Sequence, residues 1–180
     1  KTFRQTNENL KIFHYSISMI LPITTEPNPI LHKKGAELTV ADLQSKKIQR
    51  LIDDMAETMY KKDGVGIAAP QVGESIMLCV IAKQFAGTEE DLALINPVWE
   101  KKSMLKTNDT EGCLSVPGIW GEVKRYKKIR VRAMDRRGNS IVFDAEKYFA
   151  RIVQHEVDHL NGILFIEKAK NLHSENNKSL

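Results

Sequence analysis

The apolar residues of this 180-residue chain change their spacing twice, and the order of those changes limits the folds open to it. Thr39 reads as a helix N-cap, and Leu43, Ile48, Leu51, Ile52, Met55 and Met59 then fall on a helical stripe as far as Tyr60. Asp63-Gly64 stops it. From Val65 onward the apolar runs are short. Residues 76–81 and 92–95 are compact strand-like runs ended by turn residues. Residues 129–134 alternate Ile, Val and Ala with Arg, and residues 141–143 answer them across Arg137-Gly138-Asn139, which predicts an antiparallel hairpin. A second helix is predicted over residues 146–160, with Tyr148, Phe149, Ile152, Val153, Val157 and Leu160 on or near its inner face and Gly162 ending it. Residues 163–166 read as a last strand. Helix, several strands, helix, strand is the order of an α+β domain rather than of alternating βαβ units.

The length suits one domain, placed at residues 19–168, with an extension at 1–18 and a polar tail at 169–180. The extension is basic, rich in hydroxyls and nearly free of acids, as organellar transit peptides are, while Met19 makes a natural start. A net charge of +4, spread over lysine pairs such as Lys33-Lys34 and Lys127-Lys128, is no nucleic-acid signature. No apolar run approaches the roughly 20 residues that a membrane helix needs. The two cysteines, Cys79 and Cys113, occupy different settings and form no disulfide framework, which favours a reducing compartment.

Chemistry concentrates in three stretches. In HEVDHLNG, residues 155–162, His155 and His159 are four apart on a helix, so both rings project from one side and can share an ion. Glu156 is placed to take a proton from a water on that ion. The plainer alternative is a solvated helix face. A catalytic site of this kind needs a third protein ligand. A histidine six positions on is absent, since that residue is Phe165. Glu167 and Glu175 remain candidates, but Cys113, in the turn-rich DTEGCLSVPG, is better placed to aim a thiolate into a cleft. In DGVGIAAPQVG, residues 63–73, Gly64 and Gly66 allow close backbone approach. The stretch carries no phosphate-loop Gly-Lys-Ser/Thr. It reads either as a plain glycine-rich turn or as a backbone edge for an extended peptide, with Gln71 offering a carboxamide N–H to a developing oxyanion.

GVGIAAPQVG, EGCLS and HEVDH, in that order, resemble the three signature motifs of the peptide deformylases, over residues 20–166. The resemblance implies an α+β fold with antiparallel sheets around the helix that carries HEVDH, preceded by an N-terminal helix. It also implies a metallohydrolase acting on N-formylmethionyl peptides, releasing formate. By the same resemblance Cys113, His155 and His159 bind one divalent ion per chain, natively Fe²⁺, with Zn²⁺, Ni²⁺ or Co²⁺ as substitutes. Glu156 is implied as general base and then acid, with Gln71 and the Leu114 N–H as the oxyanion hole. Gly64, Val65 and Gly66 are implied to meet the substrate, Glu111 to support the ligand loop, and Arg151 and Ile152 to line the side-chain pocket, where an arginine changes its polarity. Many bacterial members carry a long basic C-terminal helix that touches the ribosome; the tail here is short and polar, so any ribosome contact is expected to be transient. The implied location is the bacterial cytoplasm, or an organelle if residues 1–18 are a targeting remnant. The competing expectations are a gluzincin-like metallopeptidase, using Glu167 or Glu175 as third ligand, and an inactive metal-binding scaffold.

Overall fold

The computed structural model describes residues 19–174, so the expected extension at 1–18 and Glu175 lie outside the described residues. Among the described residues four α-helices and eight strands follow in chain order: α1 (Val40–Leu43), α2 (Lys46–Lys61), β1 (Gly66–Ala68), β2 (Leu78–Ile81), α3 (Lys83–Ala86), β3 (Leu92–Lys101), β4 (Lys106–Cys113), β5 (Val116–Tyr126), β6 (Lys128–Met134), β7 (Ser140–Glu146), α4 (Lys147–Leu160) and β8 (Lys170–Ser174). The class is α+β with antiparallel sheets.

The first helical stripe is two helices rather than one. Thr39 does cap a helix: its hydroxyl accepts from the Asp42 N–H at 3.2 Å, and the Asp42 carboxylate accepts from the Thr39 N–H at 2.7 Å. Six residues later Ser45 is a second N-cap, accepting from the Ile48 N–H at 3.3 Å, and α2 starts afresh. The Gln49 carboxamide donates to the Leu43 carbonyl at 2.7 Å, satisfying an acceptor at the end of α1.

Strands β1-β2-β3-β6-β7, in that order, form one antiparallel sheet, and β4-β5-β8 form a second. The hairpin expected across Arg137-Gly138-Asn139 is β6–β7, in register from Lys128↔Glu146 to Met134↔Ser140. The Asp135 carboxylate accepts from the Arg137 and Asn139 N–H groups, and Gly138, at φ 86°, supplies the left-handed turn residue. Pleating explains why β2 is buried on both faces. Leu78 and Val80 face α2, where they pack among Leu51, Ile52, Met55 and Met59. Cys79 and Ile81 face α4, among Leu94, Ile129, Val131, Val153 and Val157. The five-stranded sheet is therefore held between α2 and α4.

Two expectations about the end of the chain are corrected. Residues 163–166 form no strand; Phe165–Glu167 is a 3-10 turn that sinks Phe165 and Leu164 beneath the three-stranded sheet. Within the presumed polar tail, β8 pairs with β5. Its polar residues suit an edge strand with one partner.

Candidate metal centre

Helix α4 carries HEVDH on its second half, and the sequence offset of four brings the two rings together: His155 Nε2 lies 3.2 Å from His159 Nε2. The third atom comes from the end of β4. Its ladder with β5 is regular to Gly112↔Trp120 and then shifts register, so that Cys113 faces Val116 across a tight turn. The turn presents the Cys113 sulfur 3.1 Å from His159 Nε2, and all three ligand atoms lie within 4.8 Å of one another. One thiolate and two imidazole nitrogens converging in this way fit a divalent transition-metal ion. Glu167, the described alternative ligand, is absent from the cluster; its carboxylate accepts from the Leu164 N–H at 2.7 Å and closes the 3-10 turn.

Around the ligands, His155 and Gln71 each have a partner that fixes their direction. His155 Nδ1 meets Glu111 Oε2 at 3.0 Å, which places a hydrogen on Nδ1 and turns Nε2 toward the cluster. Gln71 sits in the 3-10 turn Ala69–Val72 that follows β1. Its Oε1 accepts from the Ala68 N–H at 2.8 Å, so its Nε2 is turned outward and donates to Cys113 Sγ at 3.3 Å. Glu156 is buried, with Oε2 lacking any hydrogen-bond partner. A Cβ placed on Gly66 would come within 2.5 Å of Glu156 Oε1, so residue 66 must be glycine for this carboxylate to sit where it does.

The electrostatics follow from this packing. Burial alone would push the Cys113 thiol up, but His159 and His155 beside it outweigh burial and hold it well below the usual thiol range, which favours the thiolate. Burial would pull His155 down; its hydrogen bonds with Cys113 and Glu111 prevail and lift it to about 10. Glu156 is raised, by burial first, with the two imidazoles opposing. A carboxylate raised in this sense holds a proton more readily, as a general base must.

A cavity of about 550 Å³ opens onto the cluster. Gly64, Val65, Gly66, Gln71, Glu111, Cys113, Leu114, Arg151, Ile152, His155 and Glu156 all line it, while His159 does not. Arg151 does not lend the cavity a free charge. Its Nη1 donates to Glu111 Oε1 at 2.5 Å and to the Val123 carbonyl at 3.0 Å, and its Nη2 to the Thr107 carbonyl at 3.0 Å. Trp120 and Tyr148 also form the wall. Arg125, which binds Glu111, escaped the sequence reading. The available signal was the alternation in β5, where Gly121, Val123 and Arg125 are buried and Glu122 and Lys124 are exposed.

Residues 20–175 match the family model described as polypeptide deformylase. The chain is 48% identical over 154 residues to the peptide deformylase of Symbiobacterium thermophilum, covering 85% of this chain and 68% of that protein. Among solved structures it is similar to the class I type b peptide deformylase of Acinetobacter baumannii with K3U bound, at TM-score 0.79 and 38% identity, over 84% of this chain and 99% of that one. The structure of that enzyme with Met-Ala-Ser bound matches at TM-score 0.78 and 36% identity, over 84% and 99% of the two chains.

Proposed function

Because the chain belongs to the polypeptide deformylase family, we propose that Cys113, His155 and His159 hold its divalent ion and that Glu156, Gln71 and the Leu114 amide perform the proton and charge transfers of deformylation. The chain is a hydrolase that removes an N-terminal formyl group. The observation that carries the residue assignment is the meeting of one sulfur and two Nε2 atoms beside a buried carboxylate with an unpartnered oxygen.

A divalent ion held by Cys113, His155 and His159 would supply Lewis acidity toward the formyl carbonyl and would lower the pKa of a nearby water. Glu156 takes a proton from the attacking water on its unpartnered oxygen as the water oxygen adds to the formyl carbon. The carbonyl oxygen becomes negative as the tetrahedral carbon forms. Gln71 Nε2 and the Leu114 N–H receive that charge, the carboxamide already locked by its bond from Ala68. Glu156 then passes its proton to the peptide nitrogen as the C–N bond breaks, leaving formate and a free α-amine. The raised carboxyl suits both halves of that exchange. Gly64, Val65 and Gly66 offer backbone to an extended peptide, β1 being the edge of its sheet, while Val65 and Ile152 give the methionine side chain an apolar wall.

A substrate beginning with formyl-methionine is supported by the likeness to the Acinetobacter enzyme solved with Met-Ala-Ser. Fe²⁺ is the proposed native ion, with Zn²⁺, Ni²⁺ and Co²⁺ accepted by the same donors. The proposed setting is the bacterial cytoplasm, where formylated nascent chains emerge, with transient ribosome contact made through the nascent chain. The deciding assay is formate release from formyl-Met-Ala-Ser by Fe²⁺- or Ni²⁺-loaded protein under anaerobic conditions. Release by wild type and its loss in Glu156→Ala are expected; a silent wild type, or a fully active Glu156→Ala, refutes the assignment.

A further inference from the structure

Asp158 is the one polar residue of HEVDH to which the reaction gives no task, yet it is buried. Its Oδ2 meets Arg125 Nη1 at 2.5 Å, and its Oδ1 accepts from Lys168 Nζ at 2.6 Å. The other two guanidinium nitrogens of Arg125 form a fork on Glu111, Nε to Oε1 and Nη2 to Oε2, both at 2.8 Å. Glu111 in turn meets His155. We infer that Arg125 and Asp158 are positioning residues: they fix the plane of the Glu111 carboxylate that orients His155, and so set how tightly the Cys113–His155–His159 centre holds its ion.

The inference rests on the proposed ligand assignment and extends it by two residues. Each oxygen of Glu111 takes two donors, Oε1 from Arg125 and Arg151, Oε2 from Arg125 and His155. A carboxylate gripped by a bidentate fork cannot rotate, and a planar guanidinium is the side chain suited to that grip. With the plane fixed, the remaining lone pair on Oε2 points at His155 Nδ1 and sets that ring. Asp158 closes the chain from the other side. It projects from the same helix as His155, so Arg125 is anchored to the helix whose ligand it helps to aim. The three links of Lys168–Asp158–Arg125–Glu111 cross from the segment before β8 through α4 and β5 to β4.

A purely stabilising role accounts for this poorly. Desolvating Arg125, Glu111 and Asp158, each under a tenth exposed, brings little net stability relative to apolar residues of similar size. Directing a ligand is a role that apolar residues could not take over. Outer partners of metal-bound histidines change ion affinity by 10- to 100-fold when removed.

The test uses the full chain loaded with Co²⁺ or Zn²⁺ alone, in wild type, Asp158→Asn, Arg125→Lys and Arg125→Met. Three quantities are read: ion affinity by chelator competition, the visible spectrum of bound Co²⁺, and kcat and KM on formyl-Met-Ala-Ser. Expected are an affinity loss of about tenfold or more, altered Co²⁺ bands, and a lower kcat with KM unchanged. Arg125→Met with Asp158→Asn should lose no more than the worse single variant, since both act through Glu111. Val131→Ala, in the core of the other sheet, should lower Tm without touching affinity or spectrum. Folded variants with wild-type affinity and spectrum overturn the inference, whatever their Tm. Should the Arg125 variants fail to fold, near-isosteric Asp158→Asn and surface-end Lys168→Met decide: weaker ion binding upholds it, unchanged binding overturns it. A wild type that binds Co²⁺ but releases no formate would sink the functional assignment instead, and leave the positioning result standing.

Discussion

Gly66→Ala tests the placement of the proposed base more sharply than replacing the base itself. The added Cβ would stand 2.5 Å from Glu156 Oε1, 2.9 Å from Cδ and 3.0 Å from Cγ. Ordinary contact begins near 3.4 Å, so the carboxylate must retreat by about 0.9 Å. The atoms displaced belong to the end of a flexible side chain, and Gly66 is absent from the positive-φ glycines, so the backbone accepts alanine without strain. The fold should therefore tolerate the change, and the loss of a glycine from the unfolded chain can raise stability by about 0.4–1 kcal/mol. Catalysis should not tolerate it. A misplacement of about 1 Å at a reacting group lowers rate by about a hundredfold, equivalent to roughly 2.7 kcal/mol in the barrier. The expected signature is a kcat about a hundredfold lower, with Tm unchanged or slightly raised and bound metal unchanged. Combining Gly66→Ala with Glu156→Gln should add little to the loss from Glu156→Gln alone, because both remove the same function. The assay is formate release over a range of formyl-Met-Ala-Ser concentrations, with metal content measured on the same samples. If kcat holds and KM alone rises, the methyl obstructs substrate and the base is undisturbed. A folded, metal-loaded Gly66→Ala with wild-type kcat and KM would refute the reasoning.

Other perturbations separate ion, oxyanion and scaffold. Cys113→Ala removes the only sulfur of the described cluster and should abolish metal retention, read as metal per chain after desalting. Chelator treatment of wild type should lower Tm, since an ion at about 100 times its Kd contributes roughly 2.7 kcal/mol to the folded state. Gln71→Ala should keep the ion but cut kcat by about 10²–10³, the usual loss for one oxyanion donor. Ser45→Ala removes the cap that starts α2, remote from the cavity, and should reduce stability by about 1 kcal/mol in denaturant melts while kcat stays at the wild-type value.

The parts of this fold that could be read from the sequence are those that bury one face and expose the other. The α2 stripe, the β6–β7 alternation and the inner face of α4 all sort apolar from polar at the period of their element, and each was placed within a few residues. The break between α1 and α2 was missed because the apolar stripe runs through it; only the second cap, Ser45, marks it. Strands β4, β5 and β8 were missed for the opposite reason. KTNDTEGC has no apolar alternation, and Pro117, Gly118 and Gly121 make β5 look like a turn. The site residues were legible through their chemistry, as two histidines at helical spacing, a cysteine between turn residues and a carboxamide after a glycine pair. Of their supports, Glu111 came only from the family resemblance, and Arg125 was not legible, because it stands among Lys124, Lys127 and Lys128 and looks like one more surface cation.

The two kinds of blindness have one cause. Hydrophobic periodicity reports where water is excluded by apolar packing, and the second sheet excludes water at its most important point with charge instead. Glu111 is buried because Arg125, Arg151 and His155 surround it, and that burial leaves no apolar mark on β4. A strand whose inward residues are Glu and Arg costs desolvation that an apolar strand would not, and it persists where those charges have a direction to impose. Hence the segments most opaque to pattern reading, β4 and β5, carry the carboxylate and guanidinium that aim His155. If Glu111→Gln kept the metal affinity and Co²⁺ spectrum of wild type, that link between polar burial and ligand direction would fail; the expected loss is about 10- to 100-fold in affinity.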